Sequence, residues 1–343
     1  ALTLPTCEPD TLPRVSIVIP VFGQHLFTFN CLLSLGTHTN LRDVEIIVID
    51  DASPVPLTEA LNQVSGVRMV RNQSNLGFVR TCRRAGSLAR GEYLVFLNND
   101  IQVTADWLDA LLRVFKLRSD AGMVGARLVY PDGRLQEAGG IVWKDGSAWN
   151  WGREGDPEHP AYRYLRRADY CSGACLAIKR EDWMALGGFD EVYAPAYYED
   201  TDLAFRVREL GKQVYYQPDA TIIHYEGLSS GVVPNQGVKR GQLTNRQTFV
   251  ARWHRTLEGH RPRDTNSELE VDRGVRARVL VVEATMITPD QDSGSVRLQA
   301  MLELLVELDC KVSFVADNLE HSQPYVHDLQ QAGIEVWHAP YIK

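Results

Sequence analysis

The chain has 343 residues, 44% hydrophobic and 23% charged, which suits one large domain with a smaller companion and a core that needs no staples. Its formal charge of -8 excludes broad nucleic-acid binding, which needs surplus Lys and Arg to neutralise phosphates. No run of about 18 apolar residues is present, which excludes a membrane-spanning helix.

Six scattered cysteines (Cys7, Cys31, Cys82, Cys171, Cys175 and Cys310) form no C-x-x-C pair and read as free, mostly buried thiols of a reducing compartment. The chain starts Ala-Leu-Thr-Leu-Pro, with neither an initiator Met nor a signal-peptide pattern, and is expected to be part of something longer.

In chain order, apolar strands are expected at residues 14–20, 44–50, 67–71 and 92–97. They alternate with helices at 25–38, 56–64, 77–89 and 106–117. Near-continuous apolar strands separated by helices predict an α/β fold with a mainly parallel sheet flanked by helices. After residue 122 the rhythm changes. Strands are expected at 123–130 and 139–143, then a long loop over 144–167 rich in Gly, Pro, Trp, Tyr and charge. A loop of that length in a compact domain is usually functional or disordered. The stretch 170–179 resumes regular structure, 199–210 is a helix ended by Gly211, 213–217 and 220–225 are short strands, and 241–256 is a helix.

Residues 260–276 are polar and without periodicity, which reads as a linker. Strands at 278–283, 311–316 and 335–338, with helices at 295–308 and 323–332, make a small Rossmann-like β-α-β-α-β unit, too short for a complete nucleotide-binding domain. The organisation expected is therefore a first domain over 1–258, a linker over 259–277 and a partial unit over 278–343.

Acidic groups recur where strands end. Asp50 and Asp51 close the second strand, Asp100 follows the fourth, and His224 closes a strand far downstream. Ligands of open α/β sheets bind outside the carboxyl ends of the strands, so these distant groups can share one crevice. Asp-Asp-Ala-Ser-Pro also has an ordinary reading as a turn with helix-capping residues. Glu199, Asp200 and Asp202 fall in the first turn of one helix. Acids there complement the helix dipole, but three within four residues exceed that need. Mutual repulsion and partial burial raise a carboxyl's pKa, which suits a general base acting on a sugar hydroxyl.

Val15-Ser-Ile-Val-Ile-Pro-Val-Phe22, Val48-Ile-Asp-Asp-Ala-Ser53, Asn75-Leu-Gly-Phe78, Gly91 to Asp100, Gly187-Gly-Phe-Asp190 and Tyr198-Glu-Asp-Thr-Asp-Leu203 occur in that order. Over residues 13–256 this set resembles the family-2 glycosyltransferases of the GT-A fold, rhamnosyltransferase-like members in particular. The resemblance implies an inverting, metal-dependent transfer of a sugar from a UDP- or dTDP-sugar donor to a glycan or lipid-linked oligosaccharide acceptor, in bacterial surface polysaccharide synthesis. It implies that Asp51, with Asp50, bonds the nucleotide base, and that the backbone of Pro20, Val21 and Phe22 packs on that base. Asn75 and Gly77 belong to the same nucleotide side. Asn98, Asn99 and Asp100 take the place of the family's Asp-x-Asp motif: Asp100 ligates Mn2+ or Mg2+, Asn99 faces the ribose or diphosphate, and His224 is a further metal ligand. Asp200 is the implied base, and Glu199 helps to hold the acceptor.

The sequence departs from the family at Asn98 and Asn99, which replace carboxylates, and at Arg83 and Ala85, where relatives often carry Asn and Gly. The implied setting is cytoplasmic, at the inner face of the membrane without a spanning helix.

Residues 278–343, with Thr288-Pro-Asp-Gln-Asp-Ser-Gly-Ser-Val-Arg297, resemble the start of a GT-B glycosyltransferase and imply a second transferase in a longer chain. Arg80, Arg83, Arg84 and Arg90 read as a solvated face or a phosphate-binding patch, and Trp149 and Trp151 as sugar platforms or packing. Two other function classes compete. A non-catalytic scaffold that has lost its metal would show no metal-dependent nucleotide binding. A nucleotidyltransferase would want a Gly-rich basic loop after the first strand, which Pro20-Val-Phe-Gly23 does not supply.

Overall fold

The computed structural model describes residues 1–8, 10–226 and 238–342. Val15–Val21 (β1) and Val44–Asp50 (β2) are buried at every position, as strands covered on both faces must be. They run parallel from Val15↔Val44 to Val21↔Asp50. Arg68–Arg71 (β3) lies parallel outside β2, and Tyr93–Leu97 (β4) lies parallel on the far side of β1. The crossovers are His25–His38 (α1), a single turn at Leu57–Ala60 and Gly77–Leu88 (α2). The helix expected over 56–64 is thus only one turn long. Because β1, β2 and β4 are parallel, Phe22, Asp51 and Asn98–Asp100 emerge along one rim.

The chain continues through Ile101–Val103 (β5), Trp107–Leu117 (α3), Ala121–Val129 (β6), Leu135–Glu137 (β7), Gly140–Val142 (β8), Ala148–Asn150 (β9), Arg166–Arg167 (β10), Cys175–Lys179 (β11) and Gln213–His224 (β12). The main sheet has ten strands in the order β10-β12-β6-β11-β4-β1-β2-β3, with β5 on β12 and β7 on β6. It is mixed, which corrects the expectation of a mainly parallel sheet. β11 runs antiparallel to both β4 and β6, and β5, β7 and β10 are also antiparallel to their neighbours. Among the described residues no α-helix lies between β6 and β11, and parallel pairing needs a long crossover whereas antiparallel pairing does not. β12 is one strand where two were expected, with a register break between Gln217 and Thr221 around Pro218.

Arg180–Leu186 (α4), Glu199–Glu209 (α5) and Val238–Leu257 (α6), the last kinked at Trp253, cover one face. One apolar layer gathers Ile17, Leu35, Trp107 and Leu111; the other gathers Val18, Phe96, Phe189, Phe205 and Trp253.

The stretch read as a linker is built into the structure. It holds a short helix, Ser267–Val271 (α7), whose Glu270 is 1% exposed. Ion pairs to Arg261 and Arg273 anchor that carboxylate, so charge pairing does here what apolar periodicity does elsewhere. Ala277–Glu283 (β13), Ser293–Glu307 (α8), Cys310–Ala316 (β14), Tyr325–Ala332 (α9) and Glu335–Trp337 (β15) then form a three-stranded parallel sheet with its helices. Its own core includes Leu302, Phe314 and Val336. Leu165 N–H donates to Gln330 O at 2.9 Å, Arg118 Nη2 to Ala332 O at 2.6 Å and Gln217 Nε2 to Gln331 Oε1 at 2.9 Å, joining this unit to the main body. Among the described residues no helix is long and apolar enough to cross a membrane.

Candidate active site

At the rim, Pro20 and Val21 are buried inside β1 and only Phe22, 47% exposed, offers a side chain outward. Val21 O accepts from Asp51 N at 2.7 Å, and Gly23 N donates to Ser53 Oγ at 2.8 Å, which binds the ends of β1 and β2 together. Asp50 turns inward. Its carboxylate accepts from Ser53 N at 2.8 Å, Leu57 N at 3.1 Å and Arg71 Nη1. Burial pushes its pKa up, but the bonds from Ser53, Leu57 and Arg71 outweigh that and hold it below the ordinary value. These contacts make Asp50 an anchor of the turn that follows β2.

Asp51 accepts from Asn72 Nδ2 at 2.6 Å, Leu76 N at 2.8 Å and Gly77 N at 2.9 Å. It thereby shapes the Asn75-Leu-Gly turn, in which Asn75 Oδ1 also accepts from Gly77 N at 3.1 Å. Gly77 has φ +79°, and a Cβ there would lie 2.7 Å from Pro195 Cβ. Only glycine suits that position.

The second group gathers beyond β4. Asn99 is 3% exposed and its Nδ2 donates to Thr28 Oγ1 at 3.0 Å, which commits it to α1. Asn98 is the more exposed carboxamide, so of the two it is the one turned toward the rim. β5 pairs with β12 so that His224 stands opposite Ile101, placing His224 Nε2 3.4 Å from Asp100 Oδ1. The other ring nitrogen, Nδ1, is 2.8 Å from Gln136 Oε1. Gln136 Nε2 donates to Glu226 Oε2 at 3.2 Å, so its Oε1 can only accept. Nδ1 of His224 is therefore the ring nitrogen set to donate, and Nε2 is the one that faces the Asp100 carboxylate.

Two hard donors facing each other in this way fit a divalent cation, since neighbouring ligands of an octahedral ion at about 2.1 Å stand roughly 3 Å apart. Asp100 and His224 would hold the ion.

The third group sits at the start of α5. Tyr197 (φ +79°) and Tyr198 (φ +70°) are consecutive non-glycine residues in the left-handed region, a strained entry of the kind found at functional sites. Asn245 Nδ2, on α6, lies 2.8–2.9 Å from the carbonyls of Tyr193, Ala196 and Tyr197 and clamps this turn. Asp200 is half-buried. Its Oδ2 accepts from Gly173 N at 2.9 Å and its Oδ1 from Thr201 N at 2.6 Å. Burial raises its pKa, opposed by those bonds. Glu199 is buried, and Oε2 has no hydrogen-bond partner among the described residues. Burial and the charge of Asp200 push its carboxyl well up.

The second and third groups are physically joined. Asn98 N donates to Ala174 O at 2.9 Å, Gly173 N holds Asp200, and Ser172 N donates to Glu137 Oε1 at 2.9 Å, next to Gln136. Cys82 on α2 feels both Glu199 and Asp51: burial raises its thiol, and those two charges raise it further.

The model of the family described as Glycosyl transferase family 2 matches residues 16–183. The chain is 30% identical over 255 residues to the N-acetylglucosaminyl-diphospho-decaprenol L-rhamnosyltransferase of Mycobacterium tuberculosis, spanning 66% of this chain and 79% of that protein. The chain belongs to glycosyl transferase family 2. It is also 30% identical over 226 residues to the O-antigen biosynthesis protein RfbC of Myxococcus xanthus, and 34% over 230 residues to the uncharacterized protein y4gI of Sinorhizobium fredii. Those matches span 63% and 64% of this chain but only 18% and 25% of the two relatives' lengths. The fold resembles that of GalNAc-T7, solved with UDP, GalNAc and Mn2+ (TM-score 0.57, 17% identity, 73% of this chain and 50% of that one), which supports the GT-A fold. The family match ends at residue 183 and lends no support to a GT-B likeness of the C-terminal unit.

Several residues of this family-2 chain stay outside the site. Asp202, the third acid of α5, is fully buried and accepts from Tyr193 Oη, Arg206 Nε, Arg252 Nη1 and Trp253 Nε1. Trp151 is buried under Arg166 and packs on Tyr162, while Trp149 is 38% exposed beside Trp143 and Arg263. Arg80 and Arg83 pair with Glu191, Arg84 reaches Arg71 O and Asn72, and Arg90 pairs with Glu45, so no anion patch forms there. Cys31, Cys82, Cys171 and Cys175 are buried free thiols.

Asp169, His260 and Glu270 come together as metal ligands might, but the Arg273 guanidinium already sits on both carboxylates and supplies the positive charge. A cavity of about 560 Å³ lies between the main body and the C-terminal unit. Its charges pair internally, Arg167 with Asp120 and Asp309, and Lys311 with Asp272 and Glu335, and none of the rim groups lines it.

Sequence reasoning missed Gln136 and Glu137. They lie on β7, which returns beside β6 after the Pro131-Asp132-Gly133 turn. That tripeptide was the available signal for a hairpin. Asn72, Gly173 and Asn245 left no motif of their own.

Proposed function

We propose that this chain transfers a sugar from a UDP- or dTDP-sugar to a hydroxyl of a glycan or lipid-linked oligosaccharide acceptor, with inversion, in bacterial surface polysaccharide synthesis. The relatives named rhamnosyltransferase and O-antigen biosynthesis protein support the substrate class. The observation that carries the reading is the His224–Asp100 donor pair, 3.4 Å apart, joined through residues 172–174 to the raised carboxyl of Asp200.

In this reading Phe22 and Asp51 receive the nucleotide, and Asp100 and His224 hold Mn2+ or Mg2+. A divalent cation, when bound, neutralises charge on a leaving diphosphate. The acceptor oxygen bonds to the anomeric carbon as the bond to the phosphate oxygen breaks, the electron pair leaves with the nucleoside diphosphate, and Asp200 takes the hydroxyl proton. Glu199, whose carboxyl burial and the charge of Asp200 push well up, helps to hold the acceptor.

Asp200→Asn should lower kcat by about 10²–10⁴-fold while Mn2+-dependent UDP or dTDP binding survives. The raised pKa of Asp200 puts the acid limb of kcat/KM above the ordinary carboxylate range, with activity lost as pH falls through it. Full activity in the amide variant would remove Asp200 from the mechanism. Asn98 and Asn99 leave one carboxylate in the motif, which favours the non-catalytic reading in one respect. Nucleotide binding indifferent to Mn2+ would decide for it.

A further inference from the structure

We propose that Gln136 is a positioning residue for the metal site: it fixes His224 in the tautomer that presents the Nε2 lone pair to the cation, and the Glu226–Arg153 pair fixes Gln136 in turn. This rests on the reading of Asp100 and His224 as metal ligands. An imidazole that ligates through Nε2 must keep its proton on Nδ1, and an acceptor held against Nδ1 ensures both the tautomer and the ring angle. Gln136 is 1% exposed and its Oε1 lies 2.8 Å from His224 Nδ1.

An amide could flip and offer NH2 instead, which would force the proton onto Nε2 and aim it at Asp100. The flip is blocked on the far side. Glu226 Oε2 accepts from Gln136 Nε2 at 3.2 Å, and the same carboxylate accepts from Tyr130 Oη at 2.9 Å and Arg153 Nη1 and Nη2 at 3.2 and 2.9 Å. A carboxylate has no donor to give, so the amide has one orientation. Arg153 belongs to the long segment between β9 and β10, so that loop is also the outermost support of the metal ligand. Gln136 reaches His224 because β7 is antiparallel to β6 while β12 is parallel to it on the other edge.

Two measurements test this. In the metal-free wild type, long-range 1H–15N spectra of His224 in mildly alkaline buffer should show the Nδ1–H tautomer, and an Nε2–H tautomer overturns the inference. Mn2+ binding in the presence of UDP, and separately dTDP, is then followed by electron paramagnetic resonance. Gln136→Leu should weaken it about 10–100-fold. The exchanged pair Gln136→Glu with Glu226→Gln restores an acceptor at Nδ1 and a donor behind it, and should recover most of that loss. Unchanged Mn2+ affinity in Gln136→Leu, or no recovery in the exchanged pair, overturns the role of Gln136 while leaving the metal reading intact. A wild type that binds no Mn2+ with either nucleotide overturns the metal reading itself and this inference with it.

Discussion

Glu137 gives the sharpest quantitative test of the site's electrostatics. It is buried on β7, one oxygen accepts from Ser172 N, and the other has no hydrogen-bond partner among the described residues. Burial raises its carboxyl to about 8, the Ser172 bond opposes this, and the charge of Asp200 adds to it. In the unfolded chain the value is near 4.5. Between those limits the folded protein keeps a proton that the unfolded chain has released, so stability falls as pH rises and the loss ends above about 8. At about 1.36 kcal/mol per pH unit, this one group costs on the order of 5 kcal/mol across the window.

Glu137→Gln retains the acceptor for Ser172 and replaces the buried proton with an amide that does not titrate. Urea unfolding at intervals from mildly acidic to mildly alkaline pH, with m checked for constancy, should show the variant overtaking the wild type steadily as pH rises. Glu199 titrates in both proteins and cancels in the difference. Parallel stability curves would show that Glu137 ionises like an exposed carboxyl and would refute the argument.

Asp202→Asn leaves the Arg206 and Arg252 guanidiniums, 2.6 and 2.9 Å from the present carboxylate, without their buried counter-charge. It should cost about 3–5 kcal/mol in urea unfolding, and a loss below about 1 kcal/mol would show the cluster to be dispensable. Gly77→Ala places a Cβ 2.7 Å from Pro195 Cβ at φ +79°. It should destabilise by about 1–3 kcal/mol and weaken UDP binding in calorimetric titration, because Asp51 loses the geometry of its Gly77 N–H bond. Unchanged stability together with unchanged UDP affinity would refute that role.

The parallel half of the fold was legible because β1, β2 and β4 are near-continuous apolar runs separated by helical stretches. In the mixed half most elements, such as those at 121–129, 140–142 and 199–209, were also readable, but the antiparallel pairing was not. β7 is three residues long and β11 pairs with strands far away in sequence, and neither leaves a periodic signal. The segment 259–277 misled for a related reason: a helix anchored by Glu270 and Arg273 is held by charges that sequence reading assigns to solvent. At the site, the groups at strand ends were readable from position, but their orientations were not. Asp50 and Asp51 are adjacent in sequence and differ in structure, because Arg71 and the Leu57 turn claim one while the Asn75–Gly77 turn claims the other. Asp202, read together with Glu199 and Asp200, faces away from Asp200, toward α6.

Residues near 98, 137 and 200 can act together only if something rigid fixes their spacing, and Ser172–Ala174 does this with three consecutive backbone groups. Ser172 N holds Glu137, Gly173 N holds Asp200 and Ala174 O receives Asn98 N. Because these are backbone bonds, the segment could carry side chains as far as the hydrogen bonding is concerned. At Gly173 a Cβ would meet Phe78 at 3.6 Å and Asp200 Oδ2 at 3.7 Å, which is ordinary contact, so packing within the chain does not demand glycine there. What a side chain at 173 would occupy is the space beside Asp200, and that is where the proposed acceptor hydroxyl must approach its base.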